Sequence, residues 1–373
     1  MKRPAPKTLT ARSNERLFEE VKPEYWFENG LRKVKPYYFE YQTYAKERWL
    51  GRTVLDVFLK EFRDRPARYY QEAIQRNLIM INGEACTLEQ RVEQSDLISH
   101  RLHRHEPPVS SQPIRIIEQR DGLLVIDKPA SIPAHPSGRY RFNTVVEILR
   151  HDHDLVHLSL INRLDRLTSG ICILGTNSKA AEKLHQQMED RQFTKEYIAR
   201  VVGEFPAEKI VCSEPLRVIE HKLGLVTVDR EGGKESETVF ERISTNGAES
   251  VVRCRPLTGR THQIRVHLRF LGHPIVNDHL YNNKVWPVKG EPDASELKMI
   301  ARTLLEETKK LEDDALEIAI NKEAGILCPE CELSRPDPTP EQLCIYLHAY
   351  RYSCDAWSFE TEMPSWSQLE QHD

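Results

Sequence analysis

Residues 1–48 are polar and carry no sustained hydrophobic period, apart from the aromatic-rich run VKPYYFEYQTY, which reads as an extension that packs onto a neighbouring element. The pattern then changes. In RTVLDVFLKEF the apolar residues Val54, Leu55, Phe58, Leu59 and Phe62 recur at helical spacing, and ARYYQEAIQR reads as a second helix. LIMINGEA predicts two short strands joined at Asn82-Gly83, and DLISHRL one more strand. The Pro/Ser-rich EPPVSSQP marks a boundary near residue 112. Beyond it, IRIIEQRDGLLVIDKP gives two strands around Asp121-Gly122, GICILGT a buried strand, and FTKEYIARVVGEF another. Between the last two, Ser178 is the expected N-cap of a helix with Ala181, Leu184 and Met188 on its inner face. Asp293 and Glu296 form a capping-box pattern for a long helix carrying Leu297, Ile300, Leu304, Thr308, Leu311, Ala315 and Ile318. IYLHAYRYSCDAWSFE returns to strand, so this helical stretch is expected to interrupt a sheet. The predicted class is α+β: an extension (1–48), a small unit (49–106), a sheet domain (113–285), an acidic helical insertion (286–342) and a returning strand (343–366).

Composition narrows the setting. A chain of 373 residues with 39% hydrophobic positions is long enough for a substantial core, and no stretch is apolar enough to span a membrane. The start, MKRPAPKTLTARSNERLFEE, is basic but lacks the apolar segment of a secretory signal. Glu15, Glu19 and Glu20 argue against a mitochondrial leader, which leaves cytoplasm or nucleus as the expected compartments and the mitochondrion as a third. Eight scattered cysteines suit a reducing environment.

The net charge of −4 advertises no polyanionic partner; its distribution is more telling. From Val251 to His273 the chain carries Arg253, Arg255, Arg260, Arg265 and Arg269 without one acidic residue, whereas Glu291 to Glu323 is rich in Glu and Asp. Such segregation fits nucleic acid as well as an ordinary patchy surface. The small unit has Arg52, Lys60, Arg63, Arg65, Arg68 and Arg76 on its helices, and its element order resembles the S4-like RNA-binding domain. Solvated helix faces would account for the same arginines.

Most chemical candidates lack a complete set. HDHDLVH offers His151, His153 and His157 without further ligands at metal-site spacing and reads as a polar turn. Cys328-Pro-Glu-Cys331 is a single CxxC. The later Cys344 and Cys354 have the wrong spacing for a zinc ribbon, so the stretch is taken as a loop with buried thiols and no metal is assigned. Neither GxGxxG, a Walker A loop nor GxSxG is present. NRLDRLTSG remains. Its Asp165, flanked by arginines, should stay ionised and serve as a nucleophile or as a partner for a developing cation, with Gly170 permitting a close turn and Thr168 and Ser169 tying the backbone locally. An ordinary Arg-Asp-Arg ion pair is the competing explanation.

The ordered set LLVIDKPASIPAHP, NRLDRLTSG, FTKEYIARV, PLTGRTHQIRVHLRFLGHPIVND and YLHA resembles the RluA-type pseudouridine synthases over residues 115–285 and again from 343. VKPYYFEYQ, RWLGRTVLDVFLKEFRDRP, RHEPPV, SGRYRFNT, Asn162 and the CPEC stretch are similar to the eukaryotic branch that modifies position 32 of the tRNA anticodon stem-loop. The resemblance implies a pseudouridine synthase fold, a mixed and mainly antiparallel sheet flanked by helices. It implies conversion of uridine to pseudouridine without a cofactor, by a monomer acting on RNA and not on a membrane. By the same resemblance Asp165 is the catalytic carboxylate, Tyr197 packs on the target ring and assists removal of the C5 proton, and Arg265 pairs with Asp165. Arg163 fills the stack left by a flipped base. Lys195, Arg253, Arg255, Arg260 and Arg269 are the expected phosphate contacts. An mRNA or rRNA substrate, an inactive RNA-binding relative, and glycoside hydrolysis are the alternatives; the last lacks a second carboxylate in the motif.

Overall fold

The computed structural model describes residues 22–62, 65–190, 192–220, 224–287, 292–322 and 327–370, the side chains of 294 and 306–312 excepted. Glu15, Glu19, Glu20, Arg63, Glu291, Glu323 and the side chains of Thr308 and Leu311 therefore lie outside the described residues. The chain divides into two compact units, one built mainly from 34–105 and 308–336, the other mainly from 106–307 and 337–373.

The first unit has strand β1 (Tyr37–Tyr44), helices α1 (Val54–Glu61) and α2 (Ala67–Gln75), and strands β2 (Ile79–Ile81), β3 (Glu84–Ala85) and β4 (Leu97–Arg104). Thr53 starts α1 by accepting the Asp56 amide proton, and Val54, Val57 and Phe58 turn inward. Asn82 and Gly83 both have positive φ, the geometry of a tight hairpin between β2 and β3. The sheet order is β1-β4-β2-β3. The aromatic run expected as an irregular extension is therefore a full strand, paired along its length with β4 from Tyr37↔Arg104 to Tyr44↔Leu97. Its period-two alternation is masked in the sequence because aromatic side chains occupy both faces. Trp49, Phe58, Tyr69, Tyr70, Ile74 and Ile79 form the core, joined by Leu316, Ile320 and Leu327 from late in the chain.

In the second unit, ten strands of the described residues form one sheet. Its main path runs through β5 (Arg115–Arg120), β6 (Leu123–Lys128), β7 (Ser169–Gly175), β8 (Thr194–Val202), β9 (Ile210–Cys212), β10 (Thr238–Thr245), β11 (Glu249–Pro256) and β12 (Leu347–Cys354), in the order β9-β10-β11-β8-β12-β7-β6-β5. Only β7 and β12 are parallel neighbours within this path; the other pairs are antiparallel. β12 thus enters the centre of the sheet from the far end of the sequence, as the interrupted-sheet reading expects, and turns back into β13 (Trp357–Glu360). Helices α3 (Val145–His153), α4 (Ser178–Glu189) and α5 (Gln263–Phe270) flank it. α4 is capped by Asn177, whose side chain accepts the Ala180 amide proton, and not by Ser178. HDHDLVH begins in the last turn of α3.

α6 spans Ala294–Asn321 and has the expected reciprocal cap between Asp293 and Glu296. Its first turns bury Leu297, Ile300 and Ala301. Toward its end the inner residues are Ala315, Leu316, Ala319 and Ile320, whereas Ile318, expected inside, is 49% exposed.

Candidate active site

Asp165 sits in a loop fixed from several sides. Asn162 Nδ2 donates to the Ile171 carbonyl at 3.1 Å, and its Oδ1 accepts from the Ile173 amide at 2.7 Å. Lys128 is fully buried at the end of β6 and donates to the carbonyls of Pro129, Ile132 and Arg166 at 2.9, 2.9 and 3.2 Å. The Thr168 amide closes a turn onto the Asp165 carbonyl at 3.1 Å. Ser169 does not tie the local backbone; its hydroxyl meets His348 Nδ1 on β12 at 2.8 Å. The Thr168 hydroxyl is buried without a partner. Gly170 has φ +105, and a Cβ there would lie 2.3 Å from the Ala349 carbonyl oxygen. The glycine is thus required by the approach of β12 as much as by the turn.

Arg265 projects from the first turns of α5 and is 5% exposed. Its Nη1 donates to Asp165 Oδ2 at 3.1 Å. Its Nε and Nη2 grip both oxygens of Asp278 at 2.6 and 2.9 Å, and the Tyr281 ring covers it at 4.9 Å. Asp278, 1% exposed, also accepts the amides of Leu280 and Tyr281 at 3.0 and 3.2 Å. Tyr281 Oη accepts the Val226 amide proton at 3.0 Å and stands 2.8 Å from His262 Nδ1. This network assigns the Tyr281 proton to Nδ1 and the ring proton to Nε2, which faces Asp165 Oδ2 at 3.6 Å. Asp165 Oδ1 has no partner among the described residues.

Burial alone would raise the Asp165 carboxyl, but His262 and Arg265 outweigh it and hold the group below its ordinary value. Burial pushes His262 itself down, so the lasting positive partner is Arg265. Burial opposes the Arg265 charge as well; Asp278 and Asp165 more than compensate and fix it in the ionised form. Tyr197 on β8 hydrogen-bonds Tyr352 on β12, and burial together with that neighbour raises its phenol well above the usual range. A phenolate is therefore not populated at neutral pH.

These groups share a cleft of about 1130 Å³, lined by Arg163, Asp165, Arg166, Lys195, Tyr197 and Arg260 together with His135, Arg139 and Tyr140. That is more than one nucleoside needs, so flanking nucleotides have room. The structure brings Asp165, Tyr197, Arg265, Arg163, Lys195 and Arg260 together. It leaves out Arg253, Arg255 and Arg269. The segment that lacks acid in sequence gains it across the sheet, since Arg253 and Arg255 both pair with Glu196 and Glu241 on adjacent strands. Arg269 lies over the Trp286 ring at 4.1 Å. The basic helices of the first unit are similarly engaged: Arg52 and Lys60 with Asp56, Arg68 with Glu317, and Arg76 with Glu72. Sequence reading missed Asp278, His262 and Lys128. Asp278 had a signal, the PIVND motif, but its link to Arg265 is spatial.

Among the described residues the group able to hold a metal is His103, His105, Cys328 and Cys331, all in the first unit.

Residues 122–270 match the RNA pseudouridylate synthase family. The human pseudouridylate synthase RPUSD2 is 40% identical over 92% of this chain and 75% of its own length. The Saccharomyces cerevisiae mitochondrial tRNA pseudouridine(32) synthase is 42% identical over 96% of this chain and 82% of its own. The tRNA pseudouridine(31) synthase of the same yeast is 32% identical over 93% and 98%. Among solved structures, human RNA pseudouridylate synthase domain containing 4 aligns with TM-score 0.45 and 23% identity over 68% of this chain and 90% of that one.

Proposed function

The chain belongs to the RNA pseudouridylate synthase family, and on that premise we propose that it isomerises uridine to pseudouridine in tRNA, at position 32 of the anticodon stem-loop. The carrying observation is the buried array in which Asp278 fixes Arg265 and Arg265 fixes one oxygen of Asp165, at the floor of a cleft with basic walls. A relative named for position 32 resembles the chain more than one named for position 31, which favours the former.

The target uridine leaves the stack and enters the cleft, with Arg163 occupying the vacated place. Asp165 presents Oδ1 to the sugar while Oδ2 stays on Arg265. The C1′–N1 bond breaks, the base turns over the Tyr197 ring, and a C1′–C5 bond forms. The C5 proton passes to water and N1 takes one from water, so composition is unchanged and no redox partner is involved. Lys195 and Arg260 contact phosphates at the rim. The first unit, whose two helices and hairpin suit an S4-like module, adds RNA affinity. The mitochondrial name of the yeast relative favours that compartment over cytoplasm and nucleus.

The test incubates the protein with unmodified tRNA transcripts and maps pseudouridine by carbodiimide-blocked primer extension. A new stop at position 32, absent with Asp165→Ala although RNA binding persists, is expected. Absence of any new stop with the wild-type protein would overturn the reading. Mapping in cells lacking the gene separates tRNA from mRNA and rRNA targets.

A further inference from the structure

We propose that the first unit carries a structural zinc site formed by His103, His105, Cys328 and Cys331. The sequence offers only one CxxC, and its partners are not cysteines. They are two histidines of HRLHRH, on and just past β4, reached from 223 to 228 residues further along the chain. A period of two puts side chains 103 and 105 on one side of the strand, and both rings aim a nitrogen at Cys331. His103 Nδ1 is 3.3 Å and His105 Nε2 3.2 Å from its sulfur, and the two nitrogens are 3.2 Å apart. All four ligand atoms lie within 4.8 Å of one another.

These spacings match the edges of a coordination tetrahedron. With Zn–N of about 2.05 Å and Zn–S of about 2.3 Å, the N···S edge is about 3.6 Å and the N···N edge about 3.3 Å. The CPEC turn has a matching local form. The Cys331 amide closes onto the Cys328 carbonyl at 3.2 Å, and the Cys328 thiol faces the His103 carbonyl at 3.6 Å. A dithiol redox pair would need no imidazoles, whereas two sulfurs and two nitrogens complete a closed tetrahedral set with no position left for substrate. Binding releases the two thiol protons to solvent and leaves both sulfurs as thiolates.

The position explains a structural role. Leu327, beside the first cysteine, is buried in the core with Trp49, Phe58 and Tyr70. Lys322 pairs with Glu332 at 2.7 Å, and Arg335 with Glu330, on either side of the turn. The ion would fasten this late segment to β4 and close a loop of more than two hundred residues.

The full chain, produced with zinc in the medium and freed of any histidine tag, is assayed by elemental analysis and by titration of the chelator-stripped protein with cobalt. Stoichiometric zinc is expected, together with the intense visible bands of tetrahedral cobalt and a thiolate-to-cobalt charge-transfer band. Cys328→Ser and Cys331→Ser should lose the metal and unfold at lower temperature, and His105→Cys, which keeps a donor, should retain it. Substoichiometric zinc in the wild-type protein with no charge-transfer band on cobalt addition would overturn the site, independently of how the variants fold. So would a reductant-sensitive Cys328–Cys331 disulfide in the freshly isolated protein.

Discussion

The substitution Asp278→Asn tests whether the catalytic carboxylate is set from behind. The side chain keeps its size, and its Oδ1 can still accept the amides of Leu280 and Tyr281 and one Arg265 N–H. The second oxygen becomes an NH₂ that faces Arg265 Nε at 2.6 Å, donor against donor. One charge-assisted bond is lost, worth about 1.5–3 kcal/mol, and Arg265 is left partly uncompensated in a buried site. Removing one partner of a buried pair costs about 3–5 kcal/mol, so unfolding stability should drop by roughly 3 kcal/mol. The guanidinium relieves the clash by moving, and Asp165 Oδ2 moves with it. A misplacement of about 1 Å at the reacting atom lowers the rate by about 10²-fold. The assay is release of tritium from tRNA labelled at uridine C5, under single turnover and at a temperature where circular dichroism shows the variant folded. RNA affinity, measured by filter binding, should be unchanged, because Asp278 lies beneath the cleft and not on its wall. A rate constant within about threefold of wild type in a folded protein would refute the positioning role.

Other outcomes follow from the same geometry. Because Arg265 and His262 hold Asp165 below its ordinary value, wild-type activity should persist on the acid side down to that depressed value, and Arg265→Met should move the acid limb of kcat/KM upward as burial loses one of its two opponents. The depressed carboxyl also contributes stability that is present above its unfolded value of 3.8 and is lost as pH falls through the lower folded one; acid titrations of wild type and Asp165→Asn measure it. Gly170→Ala combines positive φ with a Cβ 2.3 Å from a strand carbonyl, and should prevent folding or part β7 from β12, read as loss of soluble protein or of cooperative melting. Burial pulls Lys128 down from 10.5 to about 7, so between these values the unfolded chain binds the extra proton and stability rises with pH. Relative to Lys128→Met, wild type should gain about 2 kcal/mol from pH 7 to pH 9, measured by urea unfolding.

How much of this was legible in the sequence depends on the range of each interaction. Helices α1 and α2, the Asn82-Gly83 hairpin and the α6 cap are local devices, and their residues announce them. β1 was hidden because its alternation carries aromatics on both faces, and only its partner β4 makes it a strand. Ile318 was misplaced because one helical period was carried through a helix whose two ends bury faces of different phase. Asp165, Tyr197 and Arg265 were named from motif order and not from physics, since nothing local says that residue 265 meets residue 165. Charge was the least transferable reading. The run from 251 to 273 lacks acid along the chain, yet Glu196 and Glu241 stand beside Arg253 and Arg255 because a sheet sets distant strands about 5 Å apart. The same rule explains why a buried Arg265 needed Asp278. A guanidinium enters an apolar interior only with its donors occupied, and Asp165 engages one nitrogen. A second carboxylate was therefore demanded by the first assignment, and PIVND, thirteen residues on, already contained the acid that meets it.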